Sequence, residues 1–276
     1  MGTKTKWAVI TGASSGIGEE FAYRFYDMGY SLVLISQTRE KLSAVEKHLL
    51  KRKRKAPERR QEIKLIDADL GEMGSLKKTS LEIKKIFQME KFTEDSNLPA
   101  ILINCAGFGA VGEFTDISIE KQESMIDVNV KGLVYLTYEM LPIMEAAGGG
   151  RILNVASSAG FFPGGPYMTI YYATKSFVLS FTNGLRRELF EKKSPVHISA
   201  LCPGPVNTPF NARANVRNAL PGISAKRCVS AAISGMKHDK AVIVPGITIK
   251  AAELGAKILP AKAVIPMVSH QQKKKI

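Results

Sequence analysis

Seven short apolar runs recur along this chain, and each of the first six is followed by a longer stretch with helical periodicity. The runs are WAVITG (7–12), SLVLIS (31–36), IKLIDA (63–68), AILINCAG (100–107), RILNVAS (151–157), VHISALCPG (196–204) and KAVIVPG (240–246). The early ones are almost unbroken aliphatic and β-branched residues, as strands covered on both faces must be. Helical patterns fall at 16–28, 39–54, 74–90, 118–147, 168–193 and 225–238. Strand–helix alternation at this spacing allows few folds. It predicts an α/β, doubly wound, seven-stranded parallel sheet, joined by right-handed crossovers, with helices on both faces. In such a sheet ligands gather at the carboxyl ends of the strands, near the reversal of strand order. A functional residue should therefore follow a strand or project from a helix beside a strand end.

Composition supports one such unit. The chain has 276 residues and is 45% hydrophobic, enough to bury a core. Cys105, Cys202 and Cys228 are far apart in sequence and form neither a disulfide framework nor a metal-ligand pair. No apolar run reaches the roughly 18 residues of a spanning helix, and the N-terminus reads as a first strand rather than a signal peptide. The expected location is cytoplasmic. The net charge is +14, and the stretch 51–60, KRKRKAPERR, holds seven basic groups against one acid, with three more lysines near residue 276. This excess reads as a solvated loop and tail, or as an electrostatic footing on an anionic membrane. No zinc-finger spacing, helix-turn-helix pattern or aromatic interleaving accompanies it, so no nucleic acid is expected.

TGASSGIGEEFA follows the first strand and opens the first helix. Gly12, Gly16 and Gly18, with Ser14, Ser15 and Ile17 between them, let the backbone turn sharply. The helix N-terminus then offers its unpaired N–H groups and positive dipole end to a pyrophosphate. This predicts a bound dinucleotide. Asp69 and Leu70 follow the third strand, where Asp69 can reach an adenine edge. Asn104, Ala106 and Gly107 follow the fourth and help shape the cleft. Asn, Asp and Gly also serve ordinary turns.

The stretch YYATK (171–175) lies on the helix after the fifth strand. Residues four apart share a helix face, so Tyr171 and Lys175 project together and Tyr172 points elsewhere. The fifth strand ends at Ser157 and Ser158, and either hydroxyl can join the pair. Reducing a carbonyl requires a hydride on carbon and a proton on the developing alkoxide. A tyrosine can donate that proton, but its ordinary pKa is about 10. A neighbouring ammonium is expected to lower it, and a serine hydroxyl can hold the substrate oxygen.

TGASSGIG, NCAG, SSAG, YYATK and PGPVNT, in this order and at these intervals, resemble the short-chain dehydrogenase/reductase family in its single-domain branch, from Trp7 to about Gly246. The resemblance implies a Rossmann-type fold and a NAD(P)-dependent oxidoreductase that transfers hydride between nicotinamide and a ketone or secondary alcohol. It implies a catalytic serine thirteen residues before the tyrosine, which selects Ser158. It also implies that Asn129 in DVNVKG fixes a helix kink and a water in a proton relay, and that Lys175 holds the nicotinamide ribose. Pro203, Gly204, Val206 and Thr208 would cradle the nicotinamide. Should Tyr171 not be the acid, Tyr172 and Tyr167 stand next.

The second strand ends in Ser36, Gln37, Thr38 and Arg39, with no acid to accept a ribose 2′-hydroxyl. The cofactor expected is NADP rather than NAD, with Ser36, Gln37 and Arg39 among its contacts. Phe108, the GFFPGG segment and Phe210 suggest an apolar mouth for a lipophilic carbonyl, steroid-like or ketoacyl, without a charged clamp. Residues 1–246 read as the catalytic domain and 247–276 as an extension. Over 247–259 the extension has an amphipathic helical pattern ended by Pro260, suited to a lid, a subunit contact or a peripheral membrane foot. The family's habit of forming dimers and tetramers implies a homodimer or homotetramer. The rival readings are a non-enzymatic NAD(P)-binding regulator and a lyase or epimerase that retains its cofactor.

Overall fold

The structure is a computed structural model, and it describes residues 6–52, 61–88 and 98–276. Most of the basic stretch 51–60 lies outside the described residues. Six strands carry the sheet: β1 (Lys6–Thr11), β2 (Ser31–Ser36), β3 (Ile63–Asp67), β4 (Leu98–Asn104), β5 (Gly150–Val155) and β6 (Val196–Leu201). The segment read as a seventh strand contributes only Val242–Ile243, which pairs with Ala200 and Leu201 at the sheet edge. In chain order that edge strand is β9, because a two-residue parallel pair, β7 (Val206–Asn207) and β8 (Ile223–Ser224), precedes it. The order across the main sheet is β3-β2-β1-β4-β5-β6-β9, with every pairing parallel.

The expected helices form as α1 (Gly16–Asp27), α2 (Arg39–Leu50), α3 (Met73–Gln88), α6 (Thr169–Glu191) and α8 (Ala225–Lys237). One core joins β1, β2 and β4 to α1, α2 and α8 through Phe21, Phe25, Leu42 and Val229. The opposite face packs α3 and α5 (Leu133–Ala146) on the sheet through Leu76, Phe87, Leu136 and Met140. Both faces are thus covered, which is why the strands carry so few polar residues.

The expected single helix over 118–147 divides into α4 (Ile119–Ile126), a wide π-type turn at Asp127–Gly132 and α5 (Leu133–Ala146). The cause is Asn129, buried in that turn. Its amide nitrogen donates to the Phe108 carbonyl (2.9 Å) and the Thr174 hydroxyl (3.1 Å), and its oxygen accepts from the Phe108 N–H (3.0 Å). Turns of this type inside helices commonly mark functional sites.

Beyond the edge strand, α9 (Ile247–Ile258) ends before Pro260 and α10 (Ala261–Lys273) follows. Leu254, Ile258, Leu259 and Met267 are exposed, whereas Val264 and Val268 pack with Ala159, Met168 and Tyr172. The chain end is therefore part of the wall beside α6. Among the described residues no helix is long and apolar enough to cross a membrane.

Candidate active site

Strand order reverses between β1 and β4, and a cleft of about 610 Å3 opens along the carboxyl ends of the strands there. Thr11, a residue whose role the sequence did not disclose, pins the reversal. Its hydroxyl oxygen accepts from the Cys105 and Ala106 N–H groups at 2.9 and 3.0 Å. The turn after β1 then enters α1. Gly12 has φ +66, in the left-handed region, and a Cβ on Gly18 would lie 2.2 Å from the Gly12 carbonyl oxygen. Only glycine fits at either point. Ser15 precedes α1 without a side-chain cap, so the first N–H groups of the helix face the cleft. Ser36 donates to Ser14 at 2.7 Å and ties the end of β2 to this turn.

The residues expected to react stand farther along. Tyr171 and Lys175 share one face of α6, as the four-residue spacing requires, and the Lys175 nitrogen lies 5.7 Å from the centre of the Tyr171 ring. Lys175 is 6% exposed and donates to the Val155 carbonyl at 2.8 Å. A buried ladder holds α6 against the sheet: Asn104 donates to Asn154 (2.9 Å) and Thr137 (3.0 Å), and Asn154 donates to Thr182 (3.0 Å).

Burial dominates the electrostatics. It pushes the Tyr171 phenol up to about 12, opposed by a hydrogen bond with Ser157. It pulls the Lys175 ammonium down to about 8, opposed by the Cys105 and Cys202 thiols. The sequence expectation was that the lysine would depress the tyrosine. In the protein alone the phenol moves the other way, because desolvation of its charged form outweighs an ammonium directed at a carbonyl. Cys105 lines the cleft, but burial pushes its thiol to about 12, so it is no nucleophile at neutral pH.

The expected cleft residues Gly12, Ser14, Ser15, Gly16, Ile17, Gly18, Ser36, Gln37, Leu70, Ala106 and Gly107 all face the cavity. So do Ser158, Tyr171, Lys175, Pro203, Gly204, Val206 and Thr208. Four others do not line it. Arg39 turns away to the Leu65 carbonyl (2.6 Å) and Asp67 (3.5 Å), because the first turn of α2 aims it across β3. Asp69 closes its own turn by accepting from the Gly71 N–H at 2.8 Å. Asn104 is consumed by the buried ladder, and Asn129 stands behind Phe108.

Both serines that follow β5, Ser157 and Ser158, line the cavity with Tyr171, and Ser157 is the one that opposes the rise of the phenol. The chain leaves β5 extended at Ser157, and that residue caps the short turn Ser158–Phe161 by accepting from the Ala159 N–H. Tyr172 is bound instead to Gln272 of α10, whose amide nitrogen donates to its hydroxyl at 2.6 Å.

Sequence reasoning missed three cations on the cleft: Lys41, Arg213 and Lys275. Lys41 stands two residues beyond Arg39 and signals only through helical spacing. Arg213, in the short helix α7 (Phe210–Arg213), donates to the Ser15 hydroxyl at 3.1 Å. With Lys175 they make four cations, and no Asp or Glu is among the described residues that line the cavity. Glycine turn, open helix end and cation row together suit a nicotinamide dinucleotide, with its pyrophosphate at the turn.

Known proteins agree with this geometry. The profile described as short chain dehydrogenase matches residues 6–219. An uncharacterized oxidoreductase of Staphylococcus aureus (strain USA300) is 35% identical over 210 residues, 76% of this chain and 82% of that protein. Among solved structures, a short-chain dehydrogenase from Sphingobium yanoikuyae in complex with NADPH superposes with a TM-score of 0.74 at 29% identity, over 92% of this chain and 96% of that one. The bulky-bulky ketone specific alcohol dehydrogenase from Comamonas testosteroni gives a TM-score of 0.72 at 27% identity, over 94% and 96%. The chain belongs to the short-chain dehydrogenase/reductase family and is an oxidoreductase that transfers hydride between NAD(P) and a ketone or alcohol.

Proposed function

We propose that the protein is an NADPH-preferring reductase of lipophilic ketones in which Tyr171 is the proton donor. The observation that carries this reading is the convergence of the Tyr171 phenol, the Ser157 hydroxyl and the Lys175 ammonium in the cleft that holds the glycine turn. The cofactor, when bound, supplies the hydride. Tyr171 donates its proton to the substrate oxygen as negative charge develops there. We assign the supporting hydroxyl to Ser157 rather than Ser158, since Ser157 lines the cavity with Tyr171 and opposes the rise of its phenol. Lys175 keeps a positive charge beside the ring and stabilises the phenolate that remains. Asn129 is a positioning residue. It fixes the Phe108 backbone on the cleft wall and reaches α6 through Thr174, next to Lys175.

The NADP preference rests on the end of β2. No acid stands there to accept a 2′-hydroxyl, Ser36 and Thr38 face the cleft, and Lys41 brings a cation beside them. Lys41 takes the part first expected of Arg39. The relative from Sphingobium yanoikuyae was solved with NADPH. The lipophilic substrate rests on Phe108, Met168, Phe210 and Leu220 around the mouth, and on the likeness to an enzyme specific for bulky-bulky ketones.

The exposed Leu254, Ile258 and Met267 form the apolar surface on which a subunit or peripheral membrane contact would rest. Sedimentation and liposome flotation of wild type against a Leu254→Gln, Ile258→Gln variant test both, and an unchanged pattern in each removes the idea.

Tyr171→Phe tests the central claim. NADPH binding, followed by nicotinamide fluorescence, should be retained. Turnover of a bulky aryl ketone should fall between roughly a hundredfold and ten-thousandfold. Retained turnover would reassign the acid.

A further inference from the structure

Four cations line the cleft, and three are accounted for by their neighbours. Lys41 stands beside Ser36 and Thr38 at the end of β2. Arg213 bonds Ser15 in the glycine turn. Lys175 belongs to the reacting centre. Lys275 is left over, and it stands at the other end. The residues before it run through α10 to Gln272, which is bound to Tyr172 on α6. Its carbonyl accepts from the Arg217 N–H at 2.9 Å, and the neighbouring Lys274 carbonyl accepts from the Asn218 side chain at 3.0 Å. The tail is thus stitched to the loop that also brings Leu220 to the cavity.

We infer that Lys275 captures an anionic group of the substrate, so that the ketone or alcohol this enzyme takes carries a carboxylate away from its reacting carbon. The inference rests on the oxidoreductase reading and names the substrate class for the same cleft. Its physical basis is an ammonium without a counter-charge. Among the described residues no acid pairs with Lys275, and none lines the cavity. Burial holds this lysine below the ordinary range. A partly desolvated, unpaired charge is costly, and a ligand anion relieves the cost. The backbone on both sides is already fixed by hydrogen bonds, so little ordering is required on binding. Phe210, whose ring lies 5.4 Å from that of Tyr171, and Leu220 line the same cavity as this cation and leave room for an apolar body, which makes the ligand an amphipathic oxo-acid rather than a small polar one.

The test uses the full chain loaded with NADP+ and one matched pair of probes, 9-oxodecanoate and its methyl ester, titrated by calorimetry. Wild type should bind the acid roughly tenfold more tightly than the ester, the scale of one charge-assisted hydrogen bond. Lys275→Gln should bring that ratio near one, while Lys275→Arg keeps it. Lys274→Gln removes an equal charge from the exposed neighbour and should keep it too, which separates a local contact from the field of a basic protein. Equal binding of acid and ester by wild type overturns the inference, as does binding of neither. A ratio that survives in Lys275→Gln overturns it as well. A loss of NADPH affinity in Lys275→Gln as large as the loss for the acid assigns the lysine to the cofactor instead. Failure of wild type to bind either NADPH or NADH would sink the oxidoreductase reading itself, an outcome distinct from all of these.

Discussion

At the cofactor end of the cleft, most residues that face inward come from a strand terminus or the turn that follows it. At the substrate end the walls come from Phe108, from the segment 208–220 and from the tail beyond α10, pieces separated by more than half the chain. The first end is assembled by short-range geometry, the second by long-range docking. The difference teaches where variation is tolerated. A turn that admits only glycine at Gly12 and Gly18 has few alternatives. A wall made by a docked helix can be exchanged for another without disturbing the sheet.

Six substitutions would break or sharpen that contrast. The largest effect beyond Tyr171 is expected at the serines. Ser157→Ala should lower kcat by roughly a hundred- to a thousandfold, and Ser158→Ala should cost far less, in steady-state assays with saturating NADPH. Equal losses would return the role to the sequence spacing. Next, Gly18→Ala forces a methyl against the Gly12 carbonyl and should weaken NADPH binding by roughly a hundredfold, the equivalent of about 3 kcal/mol of overpacking. Unchanged affinity would show that this turn is not the rigid part. Lys41→Gln should lower the NADPH-to-NADH preference by roughly tenfold and leave NADH binding as it was. Arg39→Gln should do neither, since Arg39 is engaged with Leu65 and Asp67.

The smallest effect is on stability, at the border between the two ends. Lys175→Met removes a buried ammonium and should raise Tm by roughly 2–4 °C, even though the Val155 carbonyl loses its donor. Lys175 titrates at about 8 in the folded protein and near its ordinary 10.5 when unfolded. Between those values the unfolded chain binds more protons, so wild-type stability rises with pH. The gap between variant and wild type is therefore largest below pH 8 and narrows from about 8 towards 10.5. Differential scanning at pH 7 and pH 9.5 checks the sign. A gap that widens would mean the ammonium is better solvated than its burial implies. Tyr171 acts in the opposite sense at higher pH. Its raised value makes the folded protein lose stability as pH climbs from about 10 to 12.

Much of this site was legible in the sequence, for reasons that residue patterns carry directly. Unbroken apolar runs fixed which residues lie in strands, and therefore which residues follow them to the carboxyl edge. The four-residue spacing of Tyr171 and Lys175 fixed their shared face. Glycines at 12, 16 and 18 marked the turn. These relations span a few residues, so chain geometry alone determines them. The division of the helix over 118–147 was not legible in its periodicity, and only the family resemblance implied a kink at Asn129, because the break depends on Asn129 meeting the backbone carbonyl of Phe108, which is distant in sequence.

Orientation and long-range arrival were decided by the tertiary structure. The family spacing selects Ser158, yet Ser157 stands beside it on the same cavity, because the chain leaves β5 extended at Ser157 to cap the following turn. Spacing could not tell that Arg39 would be drawn to β3 and leave Lys41 on the cleft. Lys275 lies a hundred residues beyond Lys175, and only the packing of Val264, Val268 and Gln272 against α6 brings it to the same cavity. The sequence alone determined the sheet, the glycine turn and the shared face of Tyr171 and Lys175. Tertiary packing decided which cations join them on the cleft, since those contacts are settled by side-chain burial among distant segments rather than by local backbone geometry.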